Sequence, residues 1–426
     1  MKRLIRIKWI IILSLFVSLT NYVESQTSFI YGKQFGSDKD GTAYNPGTDQ
    51  FGNVYIAGET KGDLAGNYFG KSDGFVTKFD SIGNILWTKQ FGTSEDDNFH
   101  WLAIDRRGNV YATGSTKGVI NEKNFGKEDI IVVKFDTAGA IEWQRQYGTD
   151  STDVGNTIYV DIQGNIYISG ITKGAMGKSS FGMTDCIVLK LDNKGNIIWS
   201  NQFGTSNDDA CIGITGGIES NIYVYGYTLG DLAARNKGIC DAFIGKFTDK
   251  GEQIKLFQFG TAELDIATGI TIDNEKNIYV GGSTVGNYGT KHQGEGYAFL
   301  SKLNQNFELI WTRHFGINIG EFINGIGFNE QGSESIVVSG CQNWPKCQSF
   351  IRMYKKDGSL QWVSNYAAIG KNGGTCGKGI CIDNKGNIYH TGYTGGNLFK
   401  SIEKREGHDI FLIKLRIDKS QTNHSD

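Results

Sequence analysis

The sequence predicts an all-β protein in which seven similar units, each of four antiparallel strands, close into a ring. A strand-like segment ending in glycine recurs at Gly58, Gly114, Gly170, Gly226, Gly282, Gly340 and Gly392, with spacings of 56, 56, 56, 56, 58 and 52 residues. Each copy carries four segments rich in Val, Ile, Phe, Tyr and Trp and bounded by Gly, Asp and Asn, which is typical of strands and turns. No segment shows a sustained helical period.

Composition agrees with a folded β protein and excludes several other classes. The 426 residues include 59 Gly but only 2 Pro, with 39% hydrophobic and 12% aromatic residues, so neither a collagen-like nor a wholly disordered chain is expected. The net charge is −2, with 43 basic and 45 acidic residues, which argues against a nucleic-acid partner. Seven cysteines are too few for a disulfide scaffold of this length.

The first 25 residues resemble an export signal. A basic start is followed by an apolar run from Trp9 to Leu19, which is shorter than the roughly 20 residues that a membrane-spanning helix needs. Ser25 then offers a small residue at a cleavage point. We expect residues 1–25 to be removed and the protein to be periplasmic, cell-surface or secreted, with no transmembrane anchor after cleavage. An uncleaved anchor is the alternative.

Within each copy, the order of strands and loops predicts the shape of the unit. Copy one has a short first strand, a second at Gly52–Gly58, a third at Asp73–Phe79 and a fourth at Gly83–Gly92. The connections between strands one and two and between strands three and four are tight turns with Asp at the start and Gly near the end. The other two connections are longer, so one face of the molecule should carry all the long loops.

Seven four-stranded units of this kind fit a β-propeller with the short first strand of each blade innermost. Pro46 falls in such a first strand, and proline is tolerated at a sheet edge. Copy seven lacks its outer strand, whereas residues 28–36 supply a spare one in which Gln34 precedes Gln90 by the repeat length. We therefore expect a single propeller over residues 26–418, closed by the N-terminal strand joining blade seven, and a polar tail at 419–426.

The copies resemble the bacterial SBBP β-propeller repeat family. That repeat pairs a D-x-x-GN-[VI]-Y strand with a D-x-F-[VI]-x-K-[FL]-D strand and a G-x-x-x-W strand, and Asp49–Gly58, Asp73–Asp80 and Gly83–Trp87 match it. The resemblance covers nearly the whole mature chain and implies the fold, but most family members have no assigned activity. A fainter resemblance of Asp80–Trp87 to the tryptophan-docking repeat of quinone-dependent dehydrogenases lacks the residues that clamp a cofactor, so no cofactor is expected.

Two columns of repeated residues are predicted to be structural. A lysine column runs through the third strands and a tryptophan column through the fourth, and the hairpin should bring them together on one face. The lysine stem can then lie over a ring as a cation–π contact. The lysines are Lys78, Lys134, Lys190, Lys246, Lys302 and Lys414, and the tryptophans are Trp87, Trp143, Trp199, Trp311 and Trp362, with Met353 replacing lysine in copy six.

A column of acidic residues in the loops before the innermost strands supplies ligand or metal candidates. A ring of carboxylates around a central funnel could bind Ca²⁺ or a polyhydroxylated or cationic ligand. The alternative is that each carboxylate accepts hydrogen bonds from backbone N–H groups of its own loop. The residues are Asp40, Asp97, Asp153, Asp209, Asp265 and Glu321.

The long loop of copy six is shortened to Cys341–Cys347 and has a cysteine at each end. In an oxidising compartment these two cysteines could form a disulfide across the mouth of the hairpin, with free thiols as the alternative. Trp344 at the tip is then a candidate contact for a sugar or a protein. Cys376 and Cys381 should point to opposite faces of one strand and are not expected to bond.

The sequence holds no metal-spaced histidine cluster, nucleophile elbow or phosphate-binding loop, so no catalytic residue is nominated. The leading hypothesis is a non-enzymatic exported scaffold that binds a protein or a glycan through its long-loop face. One alternative is an extracellular polysaccharide-acting enzyme that uses funnel carboxylates as acid and base. Another is a structural component of an envelope assembly.

Overall fold

The computed structural model describes residues 27–121, 123–177, 179–287, 297–315, 320–331, 334–343, 346–369, 374–399 and 407–417. The expected signal peptide and the polar tail lie outside these ranges, so both stay expectations. Among the described residues, no helix is long and apolar enough to cross a membrane.

The described chain forms seven separate sheets of four antiparallel strands, which confirms the predicted propeller. Pro46 lies on an innermost, edge strand as expected. One single-turn 3₁₀ helix, Ile218–Ser220, replaces the tight turn of blade four.

Each blade runs from an innermost strand at the channel to an outermost strand at the rim. Blade one is β2 (Gly41–Thr48), β3 (Val54–Thr60), β4 (Asp73–Phe79) and β5 (Ile85–Phe91), and blade two is β6 (Asp97–Ile104), β7 (Val110–Thr116), β8 (Asp129–Phe135) and β9 (Ile141–Tyr147). Blade three is β10 (Asp153–Val160), β11 (Ile166–Thr172), β12 (Asp185–Leu191) and β13 (Ile197–Phe203), and blade four is β14 (Asp209–Gly216), β15 (Ile222–Thr228), β16 (Asp241–Phe247) and β17 (Gln253–Phe259). Blade five is β18 (Asp265–Ile272), β19 (Ile278–Thr284), β20 (Tyr297–Leu303) and β21 (Leu309–Phe315), and blade six is β22 (Phe322–Asn329), β23 (Ser335–Gln342), β24 (Gln348–Lys355) and β25 (Leu360–Tyr366). Blade seven is β26 (Thr375–Ile382), β27 (Asn387–Thr394), β28 (Asp409–Ile417) and β1 (Thr27–Phe35).

The N-terminal strand closes the ring. β1 pairs antiparallel with β28 over its whole length, with Phe35 opposite Ile410. The side chain of Gln34 donates to Asp409 Oδ2 at 2.9 Å and accepts from the backbone N–H of Leu398 at 2.9 Å. Gln90 makes the equivalent bonds inside blade one, to Asp73 Oδ2 at 2.7 Å and from Leu64 at 2.9 Å. The closing strand therefore repeats the side-chain contacts of an ordinary outer strand.

The core lies between neighbouring blades. The two middle strands of each blade are buried on both faces, as β4 is at all seven positions, so they read as continuous apolar runs. Outer strands begin exposed, as at Ile85 and Leu86. One core cluster packs Tyr55 and Phe91 of blade one against Phe99 of blade two. A single blade cannot bury both of its faces, so the ring as a whole provides the core.

The lysine and tryptophan columns meet as expected, with Lys78 paired with Trp87 and Met353 with Trp362. The ring beneath the ammonium is, however, a tyrosine of the second strand: Lys78 Nζ lies 5.1 Å from the centroid of Tyr55. The same contact recurs at 5.1 to 5.6 Å in five other blades. Lys78 Nζ and Trp87 Nε1 both donate to the Thr137 carbonyl of the next blade, at 3.0 and 3.3 Å. These columns therefore link one blade to the next.

Candidate binding site at the long-loop mouth of the channel

All seven innermost strands carry a β-bulge at the same repeat position, close to the long-loop face. In β2 the pairing with β3 skips Tyr44, because Ala43 faces Gly58 and Asn45 faces Ala57. The side chains at this bulge line one recess of about 300 Å³ at the mouth of the central channel. We call these residues the mouth ring: Tyr44, His100, Asn156, Ile212, Thr268, Asn324 and Lys378.

The mouth ring is a position where the repeat changes from blade to blade. A bulge adds one residue to a strand and re-aims its side chain, and bulges are frequent beside functional sites. Every blade has the same β-bulge, yet six residue types occupy the seven bulge positions. Such variation on a regular scaffold is typical of binding surfaces.

Four mouth-ring residues form a hydrogen-bonded belt. Each donates to the backbone carbonyl that precedes the ring residue of the next blade, and this contact joins adjacent innermost strands. The bonds run from His100 Nδ1 to Gly155 at 3.1 Å, Asn156 Nδ2 to Cys211 at 2.7 Å, Thr268 Oγ1 to Ile323 at 2.5 Å and Asn324 Nδ2 to Gly377 at 2.8 Å.

The belt also fixes the chemical state of His100. A carbonyl can only accept, so Nδ1 carries the proton and donates to Gly155. Burial lowers the pKa of the imidazole, with the hydrogen bond to Gly155 opposing this effect. His100 is therefore neutral near pH 7, and its Nε2 is an unprotonated acceptor. The amides of Asn156 and Asn324 likewise each keep a carbonyl oxygen that the belt does not use.

Tyr44 and Lys378, on the adjacent blades one and seven, lie outside the belt. The Tyr44 hydroxyl donates to Glu59 Oε1 at 3.0 Å, and its ring packs edge-on against His100 at 5.6 Å. The Lys378 ammonium lies 5.7 Å from the ring centroid of Tyr393. Burial lowers the pKa of Lys378 below its ordinary value, while Cys347 and Glu59 oppose the shift. Within the described residues, Lys378 has no hydrogen-bond or ion-pair partner.

Four of the six acidic candidates begin an innermost strand and accept hydrogen bonds from the loop that precedes it. Asp97 is fully buried, and its Oδ2 accepts from the N–H of Thr93 at 2.5 Å and from the Thr93 hydroxyl at 2.8 Å. Its Oδ1 accepts from the hydroxyl of Thr116. Burial raises the pKa of Asp97, and these hydrogen bonds oppose the rise. Asp153, Asp209 and Asp265 are bonded in the same way to the threonine four residues before them.

The remaining acidic candidates differ from these four. Asp40 is partly exposed and accepts from the N–H and from Nδ1 of His408, each at 2.9 Å. Glu321 is buried, with its carboxylate 3.6 Å from the Arg352 guanidinium. None of the six lines the mouth recess. In the part of the chain that the structure describes, no group of three or more His, Cys, Asp or Glu residues is arranged to hold a metal ion.

The disulfide expected between Cys341 and Cys347 is replaced by one between Cys341 and Cys376, whose Cα atoms lie 5.1 Å apart. The hairpin register explains the correction: Cys341 faces Ser349 across the β23–β24 ladder, which leaves Cys347 beyond the paired residues. Cys347 stays a free, buried thiol beside the disulfide. Cys381 is also free, as expected. Trp344 lies outside the described residues.

The disulfide lies beside the mouth ring. It joins β23 of blade six to β26 of blade seven, and Cys376 precedes Lys378 by two residues. Asn324 Nδ2, which donates to Gly377, also lies 3.6 Å from Cys341 Sγ. Sequence reasoning missed both the ring and this pairing. The only available signal was a column of unlike residues recurring at the 56-residue spacing within the first strands.

These features define the chain as a seven-bladed β-propeller with a polar, non-repeating mouth. The β-propeller repeat family SBBP matches at residues 86–121, 142–175, 258–289 and 369–400. Four segments of the ring, about a third of the chain, therefore match the SBBP repeat.

Similarity to individual proteins is more distant. The regulatory protein FlaEY of Caulobacter vibrioides is 28% identical in a 189-residue alignment that covers 40% of this chain and 19% of FlaEY. This chain thus matches about a fifth of that relative's length. A polysaccharide lyase of family PL25, an ulvan lyase, superposes with a TM-score of 0.53 at 12% identity, over 88% of this chain and 97% of the lyase. The Pan2 WD40 domain of Neurospora crassa gives 0.52 at 10% identity, over 91% and 95%. Both structural likenesses show the fold alone.

Proposed function

We propose that this protein is an exported, non-enzymatic scaffold that binds a protein or glycan ligand through its long-loop face, with the mouth ring as the site. The observation that carries the proposal is the ring itself. Seven identical backbone bulges present non-repeating side chains to one recess, whereas the surrounding positions repeat as structural columns. A fold alone does not imply a function, so function is best sought where a regular scaffold departs from its repeat.

The chemistry of the recess favours a glycan over an extended protein surface. The recess is lined by amide oxygens, a neutral imidazole, hydroxyl groups, aromatic rings and a single ammonium group. The polar groups suit sugar hydroxyls, and the aromatic rings suit sugar faces. Its volume of about 300 Å³ lies at the lower end of the range for small-molecule sites. A recess of this size suits one sugar unit of a chain whose neighbouring units contact the long loops.

Filling the recess tests this proposal. Ile212 belongs to the ring but not to the belt, so Ile212→Trp adds bulk without removing a belt hydrogen bond. Ile162 is 65% exposed in a short-loop turn, and Ile162→Trp is the matched control. On a glycan array and in titrations with each hit, we expect Ile212→Trp to weaken binding at least tenfold and Ile162→Trp to leave it unchanged. Equal binding by both variants, or no ligand for the parent protein on glycan or protein arrays, contradicts the proposal.

Export is part of the proposal and has its own test. Residues 1–25 have the charge and apolar pattern of a signal peptide. N-terminal sequencing of the protein recovered outside the cytoplasm should begin at Gln26. Recovery of the full-length chain from the cytoplasm contradicts export.

The polysaccharide-acting enzyme is the weaker alternative. Its acid and base were to come from the acidic column, but four of those carboxylates are engaged by threonines in their own loops. The likeness to an ulvan lyase concerns the fold. Incubating each bound glycan with the protein and measuring new reducing ends or unsaturated products separates binding from cleavage.

A further inference from the structure

The corner of the mouth ring formed by blades seven and one differs in kind from the rest. Four of the other five ring residues use their polar groups in the belt, and the fifth, Ile212, has none. Tyr44 and Lys378 occupy the two adjacent positions that the belt omits. We propose that Lys378 binds the anionic group of an acidic glycan, a carboxylate or a sulfate, in the mouth recess. This inference rests on the proposed function and specifies its ligand class.

The charge of Lys378 has no counterpart among the described residues. Three lysines of the lysine column donate to a backbone carbonyl of the next blade, as Lys190 does to Asp249 at 2.8 Å. In the described part of the chain, the Lys378 ammonium makes no hydrogen bond or ion pair and lies against the aromatic face of Tyr393. A half-buried ammonium without a carboxylate is unfavourable, and a ligand anion would provide the missing opposite charge.

The groups around Lys378 do not supply that anion. Glu59 is a nearby carboxylate, but it accepts from the Tyr44 hydroxyl and, among the described residues, forms no ion pair with Lys378. Burial raises the pKa of the Cys347 thiol, so this neighbour stays neutral near pH 7. Among the described residues that line the recess, Lys378 is consequently a cation without an anionic partner.

Neighbouring atoms match a sugar that carries the anion. Asn324, on the adjacent blade, uses only its Nδ2 in the belt, which leaves Oδ1 as an acceptor for a hydroxyl. The ring of Tyr44, which lines the same recess, can contact an apolar sugar face. A charged group next to hydroxyls and C–H surface is the chemistry of a uronic acid or a sulfated sugar. An acidic peptide lacks this pattern of hydroxyls.

The cross-link beside Lys378 holds the site in place. The Cys341–Cys376 disulfide and the bond from Asn324 to Gly377 fix the strand next to the bulge. A pre-organised cation binds an anion more tightly because little freedom is lost on binding. The structural elements that break the repeat in blades six and seven therefore also position Lys378.

Matched glycan pairs test the inference. The probes are oligogalacturonate with its methyl ester and dextran sulfate with dextran, so each pair differs only in the anionic group. We expect the parent protein to bind the anionic member of one pair at least tenfold more tightly by calorimetry. Lys378→Met should abolish this preference and keep the binding of the neutral member, and Lys378→Arg should restore much of it. Lys173→Met removes an exposed lysine on the same face and should change nothing.

The outcomes separate this inference from the proposed function. If Ile212→Trp blocks glycan binding but Lys378→Met keeps the anionic preference, the anion site is wrong and the binding site stands. If the parent protein binds neither member of any pair and no other glycan, both proposals fail. If only acidic peptides bind, in a Lys378-dependent manner, the ligand is a protein and the glycan assignment is wrong. Unchanged melting temperatures of the variants establish that folding is not the cause.

Discussion

Blades two to four and the junction of blades six and seven use different side-chain contacts to hold the innermost strand of a blade in place. In the regular blades, a buried aspartate such as Asp153 fastens the loop to the start of the innermost strand. In blade seven that position is Thr375, whose hydroxyl bonds to Thr394 and to the N–H of Ala368. A disulfide and a buried histidine pair, His390 with Ser349, link blade seven to blade six.

The difference shows which parts of a blade are interchangeable. The ladder and the bulge occur in all seven blades, so the backbone geometry tolerates either set of side chains. The irregular set lies beside Lys378, where the last belt bond runs from Asn324 to Gly377. Local departures from the repeat therefore accompany the proposed anion site.

Removing the closing strand should destabilise the protein most, because blade seven then loses its outer strand and the ring opens. The truncation tests whether the blade-seven junction tolerates an open ring. Without residues 27–35, the β28 edge and Asp409 lose their partners, and an unpaired edge promotes aggregation. We expect no cooperative thermal unfolding by circular dichroism. A synthetic peptide of residues 27–36 added during refolding should restore the transition. A truncated protein that melts as the full chain does would show that closure contributes little.

The hydrogen bonds of the buried aspartate in a regular blade should contribute more to the free energy of unfolding than those of Thr375 in blade seven. Asp153→Ala leaves two hydroxyls and one N–H without their buried acceptor, and we expect a loss of about 5 kcal/mol in the free energy of unfolding. Thr375→Val removes one hydroxyl and should cost about 1–2 kcal/mol. Urea denaturation of both variants measures the difference. Equal losses would contradict the contrast between the two regions.

The disulfide should compensate for the weaker fastening of blade seven. It spans 35 residues, for which loop closure predicts about 4 kcal/mol. Cys376→Ser, and the parent protein in reductant, should both be destabilised by that amount in urea. Cys347→Ser is the control, since its thiol is free and should leave stability within about 1 kcal/mol. If Cys347→Ser is the damaging variant, the pairing is Cys341 with Cys347 after all.

The sequence was sufficient to predict the features that depend on periodicity. Blade number, the strand order and the closing role of residues 28–36 all follow from a spacing that can be counted. The mouth ring cannot be predicted in this way, because a β-bulge becomes visible only when the two strands are paired. The seven bulge residues also have no common residue type that a repeat search would detect. The Cys341–Cys376 bond also depends on the contact between two blades, which spacing along one hairpin cannot reveal.

The buried histidine offers the smallest effect and the most specific signature of the irregular junction. His390 Nδ1 donates to Gly379, and Nε2 accepts from Ser349, so the ring is neutral in the folded state. Burial lowers its pKa to about 4, with the bond to Gly379 opposing the shift. The unfolded chain, with a histidine pKa of about 6.5, binds the proton first as pH falls. The contribution of the neutral histidine to the free energy of unfolding is therefore complete above about pH 6.5. It is lost as the pH falls from about 6.5 to 4, by up to about 3 kcal/mol.

A pH series of urea unfolding measures this loss. His390→Leu should be less stable at pH 8, because Ser349 loses its acceptor, but its stability should depend less on pH between about 6.5 and 4. The exposed His408 provides the control, since it pairs with Asp40 at the surface and His408→Asn should keep the slope. A parent slope that persists in His390→Leu would place the titrating group elsewhere. It would also remove the histidine pair from the contacts that distinguish blade seven.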